Sequence, residues 1–257
     1  MPDADTSPDS SPIGGIINKK SDNHIRISSI NPNGLRFSTL PTAIQFSLDL
    51  DTDIQCFSEI NLDTQQRAVR RQLLHRVRTA DPKAKSTWSS SQVPAVNTFK
   101  PGGTGMITYS RLASKVRQMG SDPMGRWTYQ ILNGKSDIEL LVISIYQSCT
   151  HQGTDDGMTF HTQQKILLAQ MDRPSLDPRA NFLSDLKSFL HKHINTPHTN
   201  RIPIILGDWN EECSGTSNSQ KLCDALGLVD IWKYRNPLHT SFKTYLRGSR
   251  RIDFALT

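Results

Sequence analysis

Cysteine is scarce in this chain: Cys56, Cys149, Cys213 and Cys223 are the four, and none forms a Cys-x-x-Cys pair. A zinc site or a disulfide framework is therefore not expected, and the chain reads as intracellular, nuclear or cytoplasmic rather than secreted. Long apolar runs are missing as well. No stretch reaches the length needed to span a membrane, and Met1 to Lys20 holds no apolar signal-peptide core. There is no internal repeat. None of the eight histidines lies in a Ser-Asp-His sequence. His191, His193 and His198 sit at the polar end of a predicted helix and in the loop after it, where cationic side chains suit the helix C-terminus. His239 sits in a Pro-containing loop and reads as solvated. Excess charge is small: 30 Lys and Arg against 24 Asp and Glu, a net +6. That permits polyanion binding without establishing it.

What is present suits one α/β domain. At 257 residues and 35% hydrophobic, the chain can bury one substantial core. The Ser/Pro/Asp-rich start reads as a disordered leader over residues 1–23, with the domain running from 24 to 257. Strand and helix patterns alternate. His24 to Ile30 alternates apolar and polar residues, and Asp53 to Phe57 is a short apolar run. Asp63 or Thr64 is positioned to cap a helix running to about Thr79, with Val69, Leu73, Leu74 and Val77 as its inner stripe. That helix carries Arg67, Arg70, Arg71, Arg76 and Arg78 and no acidic residue, a pattern equally consistent with a solvated face and a polyanion contact.

Further along, a Pro/Gly-rich turn precedes a strand beginning at Met106. Arg126 to Leu132 and Ile138 to Tyr146 form a strand pair joined by the hairpin signal Asn133-Gly134. Helices are expected over Thr162 to Met171 and Arg179 to Ile194, the second with a core stripe of Phe182, Leu186, Phe189 and Leu190. Ser217 to Leu226 reads as a helix closed by Gly227. A last strand is expected over Arg251 to Thr257.

The most informative stretch is Ile202-Pro203-Ile204-Ile205-Leu206-Gly207-Asp208-Trp209-Asn210. It reads as a buried strand that delivers a carboxylate and a carboxamide two residues apart to one side of a sheet edge. Gly207 leaves room for a close approach to the backbone. An Asp to activate water beside an Asn to hold an oxyanion suits metal-assisted phosphoester hydrolysis, although Asp and Asn are also ordinary turn residues. Four other segments accompany it: Ser29-Ile30-Asn31-Pro32-Asn33-Gly34-Leu35, Asp53 to Asn61 with Glu59 near its end, Ile143-Ser144-Ile145-Tyr146, and Ser249-Arg250-Arg251-Ile252-Asp253-Phe254.

In order, spacing and residue type these five segments resemble the endonuclease/exonuclease/phosphatase superfamily. Within it, the likeness is greatest to the endonuclease domain of non-LTR (LINE-type) retrotransposons. The resemblance covers about residues 24 to 257. It implies a four-layer α/β sandwich of two packed sheets flanked by helices, and a Mg²⁺- or Mn²⁺-dependent phosphodiesterase. By the same resemblance Glu59 is the metal ligand, and Asp208 orients and deprotonates the attacking water. Asn210 contacts the oxyanion, Tyr146 bonds the scissile phosphate, and Asn31 is the asparagine of the first motif. Asn33, Ser241, Arg247 and Arg250 are implied as substrate-binding positions, with Lys243 and Arg251 in the same basic loop. The partner implied is DNA, held by largely sequence-independent phosphate contacts, by a domain that acts as a monomer.

Asp253 is implied to orient a catalytic histidine from a Ser-Asp-His motif on a last strand. The chain ends at Thr257 without that motif. The expectation is a sheet lacking its terminal strand, an Asp253 offset only by metal, water or an arginine such as Arg251, and DNA cleavage that is poor or absent. A remnant that binds nucleic acid without cutting it, and a phosphatase acting on inositol phosphates or lipids, are the alternatives.

Overall fold

A computed structural model describes residues 20–257 except 22, 96–98, 151–158, 195–199, 239–241 and 246–247. The expected leader lies outside the described residues up to residue 19. Two sheets pack face to face. The first contains β1 (Ile27–Ile30), β2 (Ile54–Ser58), β3 (Lys85–Ser89) and β4 (Thr104–Thr108), in the order β1-β2-β4-β3. The second contains β5 (Val116–Ser121), β6 (Trp127–Asn133), β7 (Ile138–Tyr146), β8 (Asn200–Asp208) and β9 (Asp253–Leu256), ordered as in the sequence.

The helices are α1 (Leu40–Asp49), α2 (Arg67–Ala80), α3 (Ser110–Ala113), α4 (Phe160–Gln170), α5 (Pro178–Ile194), α6 (Asn218–Leu226) and α7 (Ile231–Arg235). Three apolar layers result, as expected for a four-layer sandwich. Phe57 and Ile107 pack on Leu40, Ile44, Leu73 and Val77 of α1 and α2. Ile54, Cys56, Met106, Val142 and Leu206 fill the space between the sheets. Ile143, Ile145 and Ile205 pack on Phe182, Leu186 and Leu190 of α5 and on Leu222 of α6.

The local signals explain much of this. Asn133 and Gly134 close the β6–β7 hairpin, with the Gly134 N–H donating to the Ile138 carbonyl. The Ser217 hydroxyl caps α6 by accepting the Gln220 N–H, and Gly227 ends it in the left-handed conformation at φ 69°. Three expectations are corrected. α2 starts at Arg67 with Gln66 at its cap position, because Thr64 is tied to the Ser90 hydroxyl and Asp63 accepts from Gln65 and Gln66 instead. Leu74 points away from the core and is 39% exposed, since the helix turns it past the Leu73–Val77 stripe. The outer side of β9 is not wholly left wet: at its C-terminal end Thr257 and Val229 exchange both backbone hydrogen bonds, at 3.0 and 2.7 Å. All four cysteines are free thiols, with the Cys213 and Cys223 sulfurs 3.9 Å apart in the α6 layer. Among the described residues, no helix is long and apolar enough to cross a membrane.

Candidate active site

Side chains alternate across a strand, so every second residue of β2, β7, β8 and β9 faces the gap between the sheets. In β8 that file is Ile204, Leu206, Asp208; in β7 it is Val142, Ser144, Tyr146; in β2 it is Ile54, Cys56, Ser58. Each file begins apolar and turns polar at its C-terminal end. The register locks these ends together: Tyr146 lies opposite Asp208 in the parallel β7–β8 pair, and Asp208 lies opposite Asp253 in the antiparallel β8–β9 pair. The site is thus the polar end of the inter-sheet core.

Ser58 joins the two sheets immediately beneath it. Its hydroxyl donates to the Ile145 carbonyl at 2.8 Å and accepts the Asp208 N–H at 3.1 Å. Gly207 sits between them at φ 144°, and a Cβ there would lie 2.1 Å from the Ile145 carbonyl oxygen. The room that Gly207 leaves is therefore filled by β7 itself. Glu59 and Asn210 both adopt the left-handed conformation, at φ 51° and 50°. That conformation is unusual for a glutamate, and such backbone geometry concentrates at functional sites.

Asn31, just after β1, bridges the carboxylates. Its amide donates to Glu59 Oε2 at 3.0 Å and to Asp208 Oδ2 at 2.9 Å. Its own carbonyl accepts the Asn33 N–H at 2.8 Å, which fixes the amide's orientation despite the intervening Pro32. Asp208 Oδ1 accepts the Asn210 N–H at 2.8 Å, and the Asn210 amide donates to the Gln147 carbonyl at 2.7 Å. Asn31, Asn33, Glu59, Tyr146, Asp208, Asn210 and Asp253 all line one cleft of about 420 Å³.

Three carboxylates in this cleft face no Lys or Arg among the residues that line it. Burial and then the Asp253 charge raise the Asp208 carboxyl to about 7, against the opposing hydrogen bonds from Asn210 and Asn31. Asp253 is raised too, by burial and by Glu59, with the Thr244 hydrogen bond acting the other way. Tyr146 is held neutral: burial and then the Glu59 and Asp208 charges push its hydroxyl well above its ordinary value.

The residues expected from the sequence divide clearly. Seven line the cleft. Arg250 is exposed and is not part of its lining, because the chain turns it outward before β9. Ser241, Arg247 and His239 lie outside the described residues. Arg251 does not offset Asp253. It is buried, paired with Asp230 and stacked over Phe242 and Phe254, so it anchors the base of β9. Asp253 faces Asp208 where an imidazole was expected, and among the described residues no histidine lines the cleft.

Four residues were not anticipated. Thr244 holds the start of β9 by accepting the Ile252 and Asp253 N–H groups, each at 3.1 Å. Tyr245 and Cys149 line the cleft, and Ser58 lies under it. Only Ser58 carried a signal, as the residue that completes the period-two file Ile54-Cys56-Ser58.

Apart from the Cys149 thiol the donors are hard oxygens, with a negative charge that no Lys or Arg among the described lining residues balances, and the carboxylate and amide oxygens fit Mg²⁺ or Mn²⁺. Among the described residues no three His, Cys, Asp or Glu converge as a ready-made metal cage. A bound ion would therefore take much of its shell from water and substrate oxygens, an arrangement Mg²⁺ commonly adopts.

No family model matches the chain, and no curated protein matches it in sequence. Solved structures do match its fold. An AP endonuclease from Leishmania major is 15% identical with a TM-score of 0.60, covering 90% of this chain and 78% of that one. A 3′ phosphatase from Neisseria, solved with a product DNA hairpin, is 15% identical with a TM-score of 0.59, over 91% and 86%. The APE2 catalytic domain of Xenopus laevis is 19% identical with a TM-score of 0.59, over 90% and 81%. The chain has the two-sheet fold of the endonuclease/exonuclease/phosphatase proteins.

Proposed function

We propose that this chain is a divalent-metal-dependent phosphodiester hydrolase acting on DNA, the endonuclease part of a retroelement. One observation carries the hydrolase reading: the Asn31 amide ties Glu59 and Asp208 together, 3.0 and 2.9 Å away, in a cleft with three carboxylates and, among the described residues, no Lys or Arg in its lining. A bound Mg²⁺ or Mn²⁺ would neutralise charge on the phosphoryl oxygens and polarise them. Glu59 holds the ion. Asp208, with a carboxyl near 7, exchanges a proton close to neutral pH and orients the attacking water. Tyr146, kept protonated, donates to a phosphate oxygen, and the Asn210 amide contacts the developing oxyanion. The wording and order of the five sequence motifs support a retroelement endonuclease, and the DNA-acting proteins of like fold support DNA as the substrate.

One observation favours a second reading, a DNA-binding protein that cuts poorly. Asp253 lies opposite the Asp208 carboxylate, and two such like charges resist ionising together unless a cation is bound. Plasmid nicking with purified protein separates the two. Mg²⁺-dependent relaxation supports the hydrolase; binding to the plasmid with no relaxation at any Mg²⁺ or Mn²⁺ concentration supports the second.

A further inference from the structure

Among the described residues that line the cleft there is no Lys or Arg for the phosphates that flank a scissile bond, so counter-charges on neighbouring surfaces matter. A second hollow, about 490 Å³, adjoins the cleft and shares Asn33 with it; Arg36, Phe37 and Phe99 stand in its wall. Phe99 is 43% exposed, a large apolar surface left to water beside the site. The hollow has a fixed wall. Gly34 and Leu35 donate backbone hydrogen bonds to the Glu59 and Ile60 carbonyls, at 2.9 and 2.8 Å. Phe37 in turn borders a third hollow, lined by Arg71, His75 and Arg76 of α2.

Two arginines of α2 are badly placed for helix stability. Arg67 and Arg70 lie in its first turn, where the helix dipole disfavours positive charge and where no acidic residue is present. Arg67 and Arg71 are also like charges one turn apart. Arg70 is occupied with the Thr64 and Gln65 carbonyls, but Arg67, Arg71, Arg76 and Arg78 make no ion pair among the described residues. Such a concentration of one sign, without acidic partners on the helix, suits a polyanion lying along it.

We infer that one strand of the nucleic acid leaves the cleft past Asn33, places an unstacked base in the Phe37–Phe99 hollow, and runs onto the Arg71–Arg76 face of α2. Phenylalanine faces stack bases without regard to sequence, and arginines follow the backbone. The inference rests on the nucleic-acid reading of the cleft and extends it to single-stranded or locally opened substrate.

The test is fluorescence anisotropy with a fluorescein-labelled DNA single strand of about twenty nucleotides, in EDTA, across a salt series. The double variant Arg71→Ala/Arg76→Ala should bind about tenfold more weakly at low salt. Its slope of log affinity against log salt should fall by about 1.4, the loss of two single-strand phosphate contacts. Phe99→Ala should weaken binding roughly tenfold at every salt concentration, with an unchanged slope. That loss should vanish on a strand of baseless spacers, which leaves nothing to stack. Lys187→Ala, on the exposed side of α5, should bind as the parent does. All substitutions are at exposed positions, and circular dichroism checks that the fold is kept. Parental affinity and slope in the α2 variant, or a Phe99→Ala loss that persists on baseless strands, would overturn the inference. If the parent still nicks plasmid with Mg²⁺ in that case, the active-site reading stands and only the strand path falls. A parent that neither binds nor nicks overturns both.

Discussion

Asp208 and Asp253 lie directly opposite each other in the β8–β9 pair, two buried or half-buried carboxylates facing the same cleft. The pairing register that sets Leu206 beside Ala255 imposes this contact. Like charges in such proximity, with Glu59 close by, make the site electrostatically unfavourable until a cation or a proton arrives.

A pH dependence of stability follows. The Asp208 carboxyl titrates near 7 in the folded protein and near 3.8 in the unfolded chain, so between those values the folded state binds more protons. Stability of the metal-free protein therefore falls as pH rises from about 4 to 7, then levels off. At about 1.4 kcal/mol for each tenfold change in proton affinity, the effect is a few kcal/mol. Asp53, lowered by Arg111 and Lys20 despite its burial, acts below this range and does not mask the trend. The melting temperature in EDTA should be higher at pH 5 than at pH 8. Asp253→Asn should shrink that gap, and Mg²⁺ should raise the melting temperature more at pH 8. A metal-free protein that is more stable at pH 8 would refute the cluster.

Ser58 should prove to be a positioning residue. Ser58→Ala removes the acceptor for the Asp208 N–H and the donor to the Ile145 carbonyl, both buried. Unfolding in urea should register a loss of about 1–3 kcal/mol. Any cleavage rate should fall as well, and Ser58→Thr should recover part of both. Stability at the parental level in Ser58→Ala would show that the two sheets are not joined through this hydroxyl.

Gly207 has no tolerance for a side chain. Gly207→Ala places a methyl against the Ile145 carbonyl at 2.1 Å and forces a non-glycine residue to φ 144°. The expected cost is on the order of 3 kcal/mol. Gly215, where a Cβ meets nothing within 4 Å, is the control, with a loss limited to its left-handed φ of 55°. Equal melting temperatures for the two alanine variants would contradict this account of the strand.

Legibility in the sequence followed physical distinctness. β8 was readable because its apolar run ends abruptly in Gly-Asp-Trp-Asn, and α5 because Phe182, Leu186 and Leu190 keep a clean helical spacing. β3 was not readable: Lys85 to Trp88 are half-buried, and their pairing with β4 is set by tertiary contact. The cleft residues were found where type and spacing mark chemistry, as with Glu59, Asp208 and Asn210. Thr244 was missed because its hydroxyl serves backbone N–H groups eight and nine residues later, which no local pattern announces. Arg251 was misread because its partner, Asp230, comes from the segment before α7.

The most direct test of the central claim is plasmid nicking by the purified chain in Mg²⁺, in EDTA, and with Glu59→Gln and Asp208→Asn. The expected result is relaxation of the plasmid in Mg²⁺. It should be abolished by EDTA and by either substitution. Relaxation that persists in EDTA, or in Glu59→Gln, would contradict a metal-dependent site built on Glu59 and Asp208.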